Sequence, residues 1–310
     1  MKTTTTLAVM AVALAAISSC SNDHENSVQP AAKYITVNTS IGRMTRVATD
    51  ADGSQHFEAD DQISVYAWTG KATEFDFNSL VVNNSINTYN GKTWTASPQM
   101  LWADQGSEHY FIGIHPAKTQ IASAVTDLTA DSYTLDATNQ AASDLLVATN
   151  LKGWSATTAP GGMVDLEFDH VMAKLIVNLK FRTQWGSTPT VQSVTAQNAA
   201  TTATVNYLEK TVTADGAAKE NISLTALATP QADNALSYAS IMVPQSGFHT
   251  IIIRIGGKDY TYTHSGDIKL ESGKYTTVDL IVGRDRIELG DVTVNDWQKG
   301  DVIDGGEAVD

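Results

Sequence analysis

The residue with the most specific chemistry is Cys20, the only cysteine in the chain. It follows an apolar run from Leu7 to Ile17 and two small residues, with one positive charge, Lys2, near the start. The run covers about eleven positions, which is too short to span a bilayer and is typical of a cleaved signal peptide. A lone thiol at the end of such a run suits attachment of lipid better than a disulfide. We therefore predict a signal peptide over 1–19 and lipidation of Cys20.

Clustered carboxylates could carry out glycoside hydrolysis, which needs two of them about 5 to 9.5 Å apart. Asp60 and Asp61 are adjacent, and Asp165, Glu167 and Asp169 alternate along one predicted strand. Alternation places the second group on the solvent face of that strand. Phosphate loops, zinc spacings and serine-hydrolase turns do not occur in a suitable strand or helix context. The sequence thus predicts no catalytic residues and no cofactor, so we expect the chain not to be an enzyme.

Histidine residues are the remaining candidates for metal binding. His170 lies on the apolar face of a predicted strand, which favours a histidine whose hydrogen bonds are satisfied in the core. His249 and His264 face each other if a predicted hairpin keeps its register, but structural zinc usually needs four ligands. We predict no metal site.

Composition excludes one class of partner and favours one class of fold. The formal net charge is -14, which argues against nucleic acid because an acidic surface repels phosphate. With 42% hydrophobic residues the chain can bury a sizeable core. Long segments with apolar residues at helical spacing are hard to find after the signal peptide, so an all-β fold is expected.

The first predicted strand follows a polar tether over 20–32. Ile35, Val37 and Ile41 share its apolar face with Thr39, by alternation. The polar segment 42–53 then carries Arg43 and Arg46 and is an exposed loop of the kind that proteases cut. The alternative is that both arginines are ordinary solvated residues of an uncut loop.

Two predicted hairpins and two changes of pattern organise the rest. Asn90-Gly91 predicts a two-residue turn that places Tyr89 opposite Lys92. A two-residue turn at 256–257 predicts pairing of residues 253 and 254 with 260 and 259. The apolar face changes parity near Met172, which predicts a β-bulge. The pattern breaks again at 186–189, so we place a domain boundary near residue 185.

The order of several motifs resembles the fimbrillin family of Bacteroidota, the Mfa-like subunits of type V pili, over nearly the whole chain after Cys20. The motifs are the signal ending at Cys20, Thr45-Arg46, Phe57 to Tyr66, residues 144–148, residues 166–175, Ser272 to Tyr275, and Val294 to Trp297. The resemblance implies two tandem transthyretin-like β-sandwich domains, which we place at 33–185 and 186–310. It also implies export as an outer-membrane lipoprotein.

In polymerising members of the family, an arginine-specific protease removes the first strand and another subunit's strand fills the groove. Here a cut after Arg46, with Arg43 as the alternative, would release Ile35, Val37 and Ile41. That release would leave apolar surface and two unpaired strand edges, which recruit a replacement strand by main-chain hydrogen bonds. Two alternatives remain for the donor strand. Either the segment 287–297 is donated, or this subunit accepts a strand without donating one, as a tip or terminal component would.

The sequence therefore predicts a fimbrial structural subunit or tip component at the cell surface. Its expected partners are other pilus subunits by donor-strand exchange, the protease, the outer membrane through lipid on the precursor, and a host or bacterial surface receptor. The alternative is a surface glycan-binding lipoprotein that does not polymerise. That alternative would use exposed tryptophans, although large aromatics usually anchor sandwich cores.

Overall fold

The computed structural model describes residues 33–42, 56–118, 125–231 and 234–296, and these are almost entirely β-structure. The strands are β1 (Thr36–Ile41), β2 (Gln62–Thr69), β3 (Val82–Tyr89), β4 (Trp94–Ser97), β5 (His109–His115), β6 (Asp131–Thr134), β7 (Leu146–Trp154), β8 (Met163–His170), β9 (Ala173–Phe181), β10 (Val191–Ala200), β11 (Thr202–Asn206), β12 (Thr211–Ala214), β13 (Lys219–Ser223), β14 (Thr225–Ala226), β15 (Leu236–Met242), β16 (Thr250–Ile255), β17 (Lys258–Thr263), β18 (Lys274–Val282) and β19 (Ile287–Asp296). The helices are α1 (Gln140–Ser143) and the 3-10 turns Phe77–Ser79, Pro160–Gly162 and Thr183–Trp185. No helix among the described residues is long and apolar enough to cross a membrane.

The largest sheet has the strand order β1-β8-β7-β5-β2-β3-β4 and is buried on both faces at its centre. Its central strands alternate between two apolar clusters: Val65 and Phe111 lie in one, Tyr66 and Ile112 in the other. Because both faces are covered, these strands are continuous apolar runs rather than half-polar ones. We call the smaller cluster, which also contains Ile35 and the inner residues of β8, the first core.

The ends of this sheet curl toward each other around the first core. The backbone N–H of Ile35 donates to the Met100 carbonyl at 3.0 Å, and Tyr34 forms an antiparallel bridge with Leu101. These contacts join the start of β1 to the segment after β4, although β1 and β4 stand at opposite ends of the strand order. The first core is therefore enclosed by one curled sheet.

The second core is the larger cluster, and it fills the space between the other face of this sheet and the three smaller sheets. Their strand orders are β13-β10-β16-β17, β14-β15-β9-β18-β19 and β12-β11-β6. Leu175, Val194, Ile251 and Leu280 are among its fully buried residues. The predicted all-β class with tandem sandwiches is confirmed.

The predicted domain boundary near residue 185, with ranges 33–185 and 186–310, stays a prediction. In the structure, sheet membership changes earlier, between β8 and β9: β8 belongs to the largest sheet, whereas β9 pairs with β15 and β18. In addition, β6 from the first half pairs with β11 from the second. Three strand pairings thus cross the sequence division: β9 with β15, β9 with β18, and β6 with β11.

The prediction of a bulge near Met172 is wrong. Val171 and Met172 form the crossover between two sheets, not an extra residue within one strand. The Ser272 hydroxyl donates to the Val171 carbonyl at 2.7 Å, and the Gly273 N–H donates to the Met172 carbonyl at 3.0 Å. The parity of the apolar face changes here because β8 faces the first core and β9 faces the second.

The two predicted hairpins have different outcomes. At Gly256-Gly257 both residues have positive φ, and Arg254 pairs with Asp259 as predicted. Ile253 likewise pairs with Tyr260.

The two-residue turn predicted at Asn90-Gly91 is wrong, because Tyr89 pairs with Trp94 rather than Lys92. The side-chain oxygen of Asn90 accepts hydrogen bonds from the backbone N–H groups two and three residues later, at 2.9 and 2.8 Å. This local bonding stabilises a four-residue loop.

Candidate functional site

The first strand and its surroundings form the candidate site, which we call the first-strand site: β1, the adjacent strand β8, Phe57, Trp94 and Met100. β1 runs parallel to β8, with six residue pairs from Thr36 opposite Met163 to Ile41 opposite Phe168. The N–H of the following residue, Gly42, donates to the Phe168 carbonyl at 2.7 Å. Since β8 pairs with β7 only from residue 168 onward, β1 is the main partner of the first part of β8.

The side chains of β1 alternate as the sequence predicts. Ile35 is fully buried, Val37 is 6% exposed and Ile41 is half-buried, all against the first core. Thr36, Asn38 and Ser40 face solvent, and Asn38 donates to the exposed carboxylate of Asp165 at 2.9 Å. Burial of an aliphatic side chain contributes about 1.5–3 kcal/mol, so Ile35 and Val37 dominate the side-chain contribution of β1 to stability.

The wall of the site opposite β8 is formed by aromatic residues. Trp94, the first residue of β4, lies 5.1 Å from Phe57 and 5.0 Å from Tyr89 between ring centroids. Its indole N–H donates to the Thr39 hydroxyl at 3.0 Å. Phe57 in turn lies 5.3 Å from Phe168 at an edge-to-face angle. The contact of Trp94 with Thr39 could not be predicted from the sequence, because 55 residues separate the two and no local pattern joins them.

This arrangement would expose a defined surface if β1 left. The first part of β8 would lose its ladder partner, and its inward-facing Val164, Leu166 and Phe168, all now buried, would lose their cover. A bare edge beside an apolar groove is the kind of surface that binds an added strand. β1 therefore occupies the end position of the sheet, beside an apolar groove of the first core.

Several predicted site residues lie outside the described residues: the lipidation residue Cys20, the tether over 20–32, and the arginines Arg43 and Arg46. Trp297 and the residues after it also lie outside. Lipidation of Cys20 and cleavage at either arginine stay predictions.

The carboxylates named in the sequence analysis lie at the surface or have structural partners. Asp165 and Glu167 are exposed on the outer face of β8, as predicted. Asp169 forms an ion pair with Lys210 at 2.7 Å. The Asp61 carboxylate accepts from the Glu58 N–H at 2.7 Å, within the turn that precedes β2.

His170 is buried at the end of β8, and its Nδ1 lies 2.9 Å from the Asp144 carboxylate. The predicted burial of His170 is confirmed, and Asp144 is the partner of its Nδ1. A cavity of about 350 Å³ adjoins this pair and is also lined by His115, Glu58 and Lys174. Its lining mixes both charge signs, which does not select one ligand chemistry.

His249 and His264 face each other in the predicted register, since the His264 N–H donates to the His249 carbonyl at 2.9 Å. Their ring nitrogens point to other groups, however: Nδ1 of His249 lies 2.6 Å from the Gly266 carbonyl, and Nδ1 of His264 lies 2.7 Å from the Tyr262 hydroxyl. Among the described residues, no group of three or more histidine, cysteine or acidic side chains could hold a metal ion.

The tryptophans in the described residues are core anchors rather than an exposed platform. Trp68 and Trp102 are buried, and Trp94, Trp154 and Trp185 are half-buried against one core or the other. Near Trp102, burial lowers the pKa of His109, whose Nε2 accepts from a backbone N–H at 3.0 Å. The ring of this histidine packs edge-on against Trp102, with 4.9 Å between ring centroids.

Comparison with known proteins places these features in a family. The model of the fimbrillin-like family matches residues 45–297. Two solved structures share the fold at TM-scores of 0.63: candidate cell adhesion proteins from Bacteroides uniformis, at 18% identity, and Bacteroides ovatus, at 16%. Each alignment covers 87% of this chain and 100% of the other.

A fimbrial protein from Bacteroides vulgatus aligns at a TM-score of 0.53 and 12% identity, over 86% of this chain and 99% of that one. No curated protein matches the chain. The family match spans well over half of the sequence and agrees with the resemblance predicted from its motifs. The chain belongs to the fimbrillin-like family.

Proposed function

We propose that this protein is a structural subunit or tip component of a type V pilus, assembled at the cell surface by protease-triggered strand exchange. The observation that carries the proposal is the first-strand site. β1 fills an apolar groove at the end of a sheet, and its removal would leave a vacant strand position. Membership of the fimbrillin-like family supports the same reading.

The position of the arginines fits release of β1. Arg43 and Arg46 follow Ile41, the last residue of β1, by two and five positions. A cut after either one separates the whole strand from the rest of the chain, together with Cys20. We propose that the precursor is an outer-membrane lipoprotein through Cys20 and that an arginine-specific protease cuts after Arg46.

The experiment uses purified precursor incubated with an arginine-specific protease, followed by electrophoresis without heating. We expect a ladder of multimers from the wild-type chain. Arg46→Ala should abolish the ladder, whereas Arg43→Ala is the matched control and should not. A ladder that survives Arg46→Ala but disappears in Arg43→Ala would move the cut upstream, and a trimmed monomer that never forms multimers would refute strand exchange.

Whether the subunit also donates a strand depends on β19. This strand pairs with β18 over nine residue pairs, so donation requires it to leave its own sheet. A disulfide between cysteines at Thr277 and Thr293, which face each other, would lock β19 in place. If β19 donates, the locked variant mixed with wild-type chains should accept a strand but pass none on, so that it ends each ladder, and reduction should restore growth.

A further inference from the structure

We propose that Trp94 selects the strand that enters the first-strand site, by requiring a hydrogen-bond acceptor side chain at the position now held by Thr39. The inference rests on the proposed function, since it concerns the strand that replaces β1. It assigns the partner a chemical pattern: two branched aliphatic residues at alternate positions, followed two residues later by a threonine, serine, or acidic or amide side chain.

The first step of the argument is the chemistry of the indole group. A tryptophan side chain carries one N–H donor and no acceptor, so it can be satisfied only by an acceptor. In the structure that acceptor is the Thr39 hydroxyl at 3.0 Å, in a partly buried setting. When a partly buried donor loses its acceptor, the free energy of the protein rises. An incoming strand can recover the lost hydrogen bond only if it carries an acceptor side chain at this position.

The second step is that Trp94 cannot easily turn away. Its ring packs 5.1 Å from Phe57 and 5.0 Å from Tyr89, and its backbone is paired with Tyr89 in the β3–β4 ladder. The donor is therefore directed at one place in the groove. In a replacement strand with the same register, the side chain that contacts the indole N–H lies two residues after the side chain that fills the Val37 position.

The third step is the contrast with the neighbouring residue on the outer face. Asn38 also makes a side-chain hydrogen bond, to Asp165 at 2.9 Å, but that bond is exposed. Water can replace an exposed partner at little cost, so position 38 should discriminate weakly between strands. The inner acceptor, together with the aliphatic residues, should carry the sequence preference.

The test measures how readily peptides replace β1. It uses the full chain, cut after Arg46, in which the released segment is still bound in the first-strand site. Seven-residue peptides with the sequence of residues 35–41 compete for the groove, with Thr39→Val and Asn38→Ala as changes within the peptide. On the wild-type protein we expect Thr39→Val to bind about fivefold more weakly, and Asn38→Ala to bind about as well as the parent. On Trp94→Phe the parent and Thr39→Val peptides should bind equally.

An equal penalty for Thr39→Val on both proteins, or no penalty on either, would overturn the inference. A second measurement uses the uncut chain, in which Thr39→Val and Trp94→Phe are combined in a double-mutant cycle of unfolding; no coupling between them also overturns it. If the uncut chain shows coupling but no peptide ever enters the cut chain, strand exchange itself fails, and selection by Trp94 fails with it.

Discussion

Two strands, β1 and β19, stand at the ends of their sheets but are held by different means. β1 has six ladder pairs, and its Val37, together with Ile35 directly before the strand, lies in the first core. β19 has nine ladder pairs, yet no residue from 287 to 295 is buried. β1 is retained mainly by side chains buried in a core, whereas β19 is retained mainly by backbone pairing, with Ile287 and Val292 only partly buried against the second core. Loss of β1 would therefore open a core, whereas loss of β19 would mostly uncover a sheet edge.

Truncation of one side chain in each strand should show this contrast most strongly. Ile35→Ala should lower the free energy of unfolding by about 2–4 kcal/mol, because it leaves a cavity in the first core. Leu289→Ala should cost less than about 1 kcal/mol, because Leu289 is already 41% exposed. Urea unfolding of the two variants measures both values, and equal losses would contradict the difference between the strands.

Glycine-to-alanine changes test how firmly each region is packed. A Cβ at Gly113 would lie 2.7 Å from the Phe168 ring, inside the first core, so Gly113→Ala should cost about 1–3 kcal/mol by overpacking. At Gly290 in β19 the nearest atom, a backbone oxygen of Asp279, would be 3.1 Å away. Gly290→Ala should cost less, since an outermost strand can shift. Thermal unfolding of both variants checks the order.

The smallest effect is expected at the start of β19. Glu288 pairs with Arg182 and, at 2.6 Å, with Arg286, and the hydrogen bond from Arg182 is the main reason that the pKa of Glu288 is lowered. A lowered pKa means that the ionised form is favoured in the folded state. Glu288→Gln should thus reduce Tm slightly above pH 4.5, the ordinary value, and the difference should disappear as the pH falls through the lowered pKa.

Added salt should also reduce the Glu288→Gln difference, because exposed ion pairs are screened. A large loss that salt does not change would show that β19 depends on this ion pair. Such a result would weaken the view that its backbone ladder holds it.

Local patterns predicted the first strand well, and long-range features not at all. Alternation identified Ile35 and Val37 as inward residues because a strand has a period of two. The parity change at Met172 was also correctly located, but a local pattern cannot distinguish a bulge from a passage between two sheets. The contact of Trp94 with Thr39 depends on the curl of the whole sheet, which no short segment specifies.

Turn chemistry was informative only where one conformation dominates. Two consecutive glycines at 256–257 accept positive φ without steric cost, which suits a two-residue hairpin. Asn90 instead uses its side chain to bond the backbone ahead of it, and this competes with the tighter turn. Asparagine thus favours both a two-residue turn and a longer loop, and the sequence does not decide between the two.

The position of β1 beside β8 has a consequence for assembly geometry. If a strand other than β1, from another copy, takes this place, the donating and accepting surfaces differ, and the contact is heterologous rather than two-fold symmetric. Such contacts repeat head to tail and remain open at both ends unless they close into a ring. A fibre built in this way has a direction, with one end presenting an empty groove and the other an unused strand.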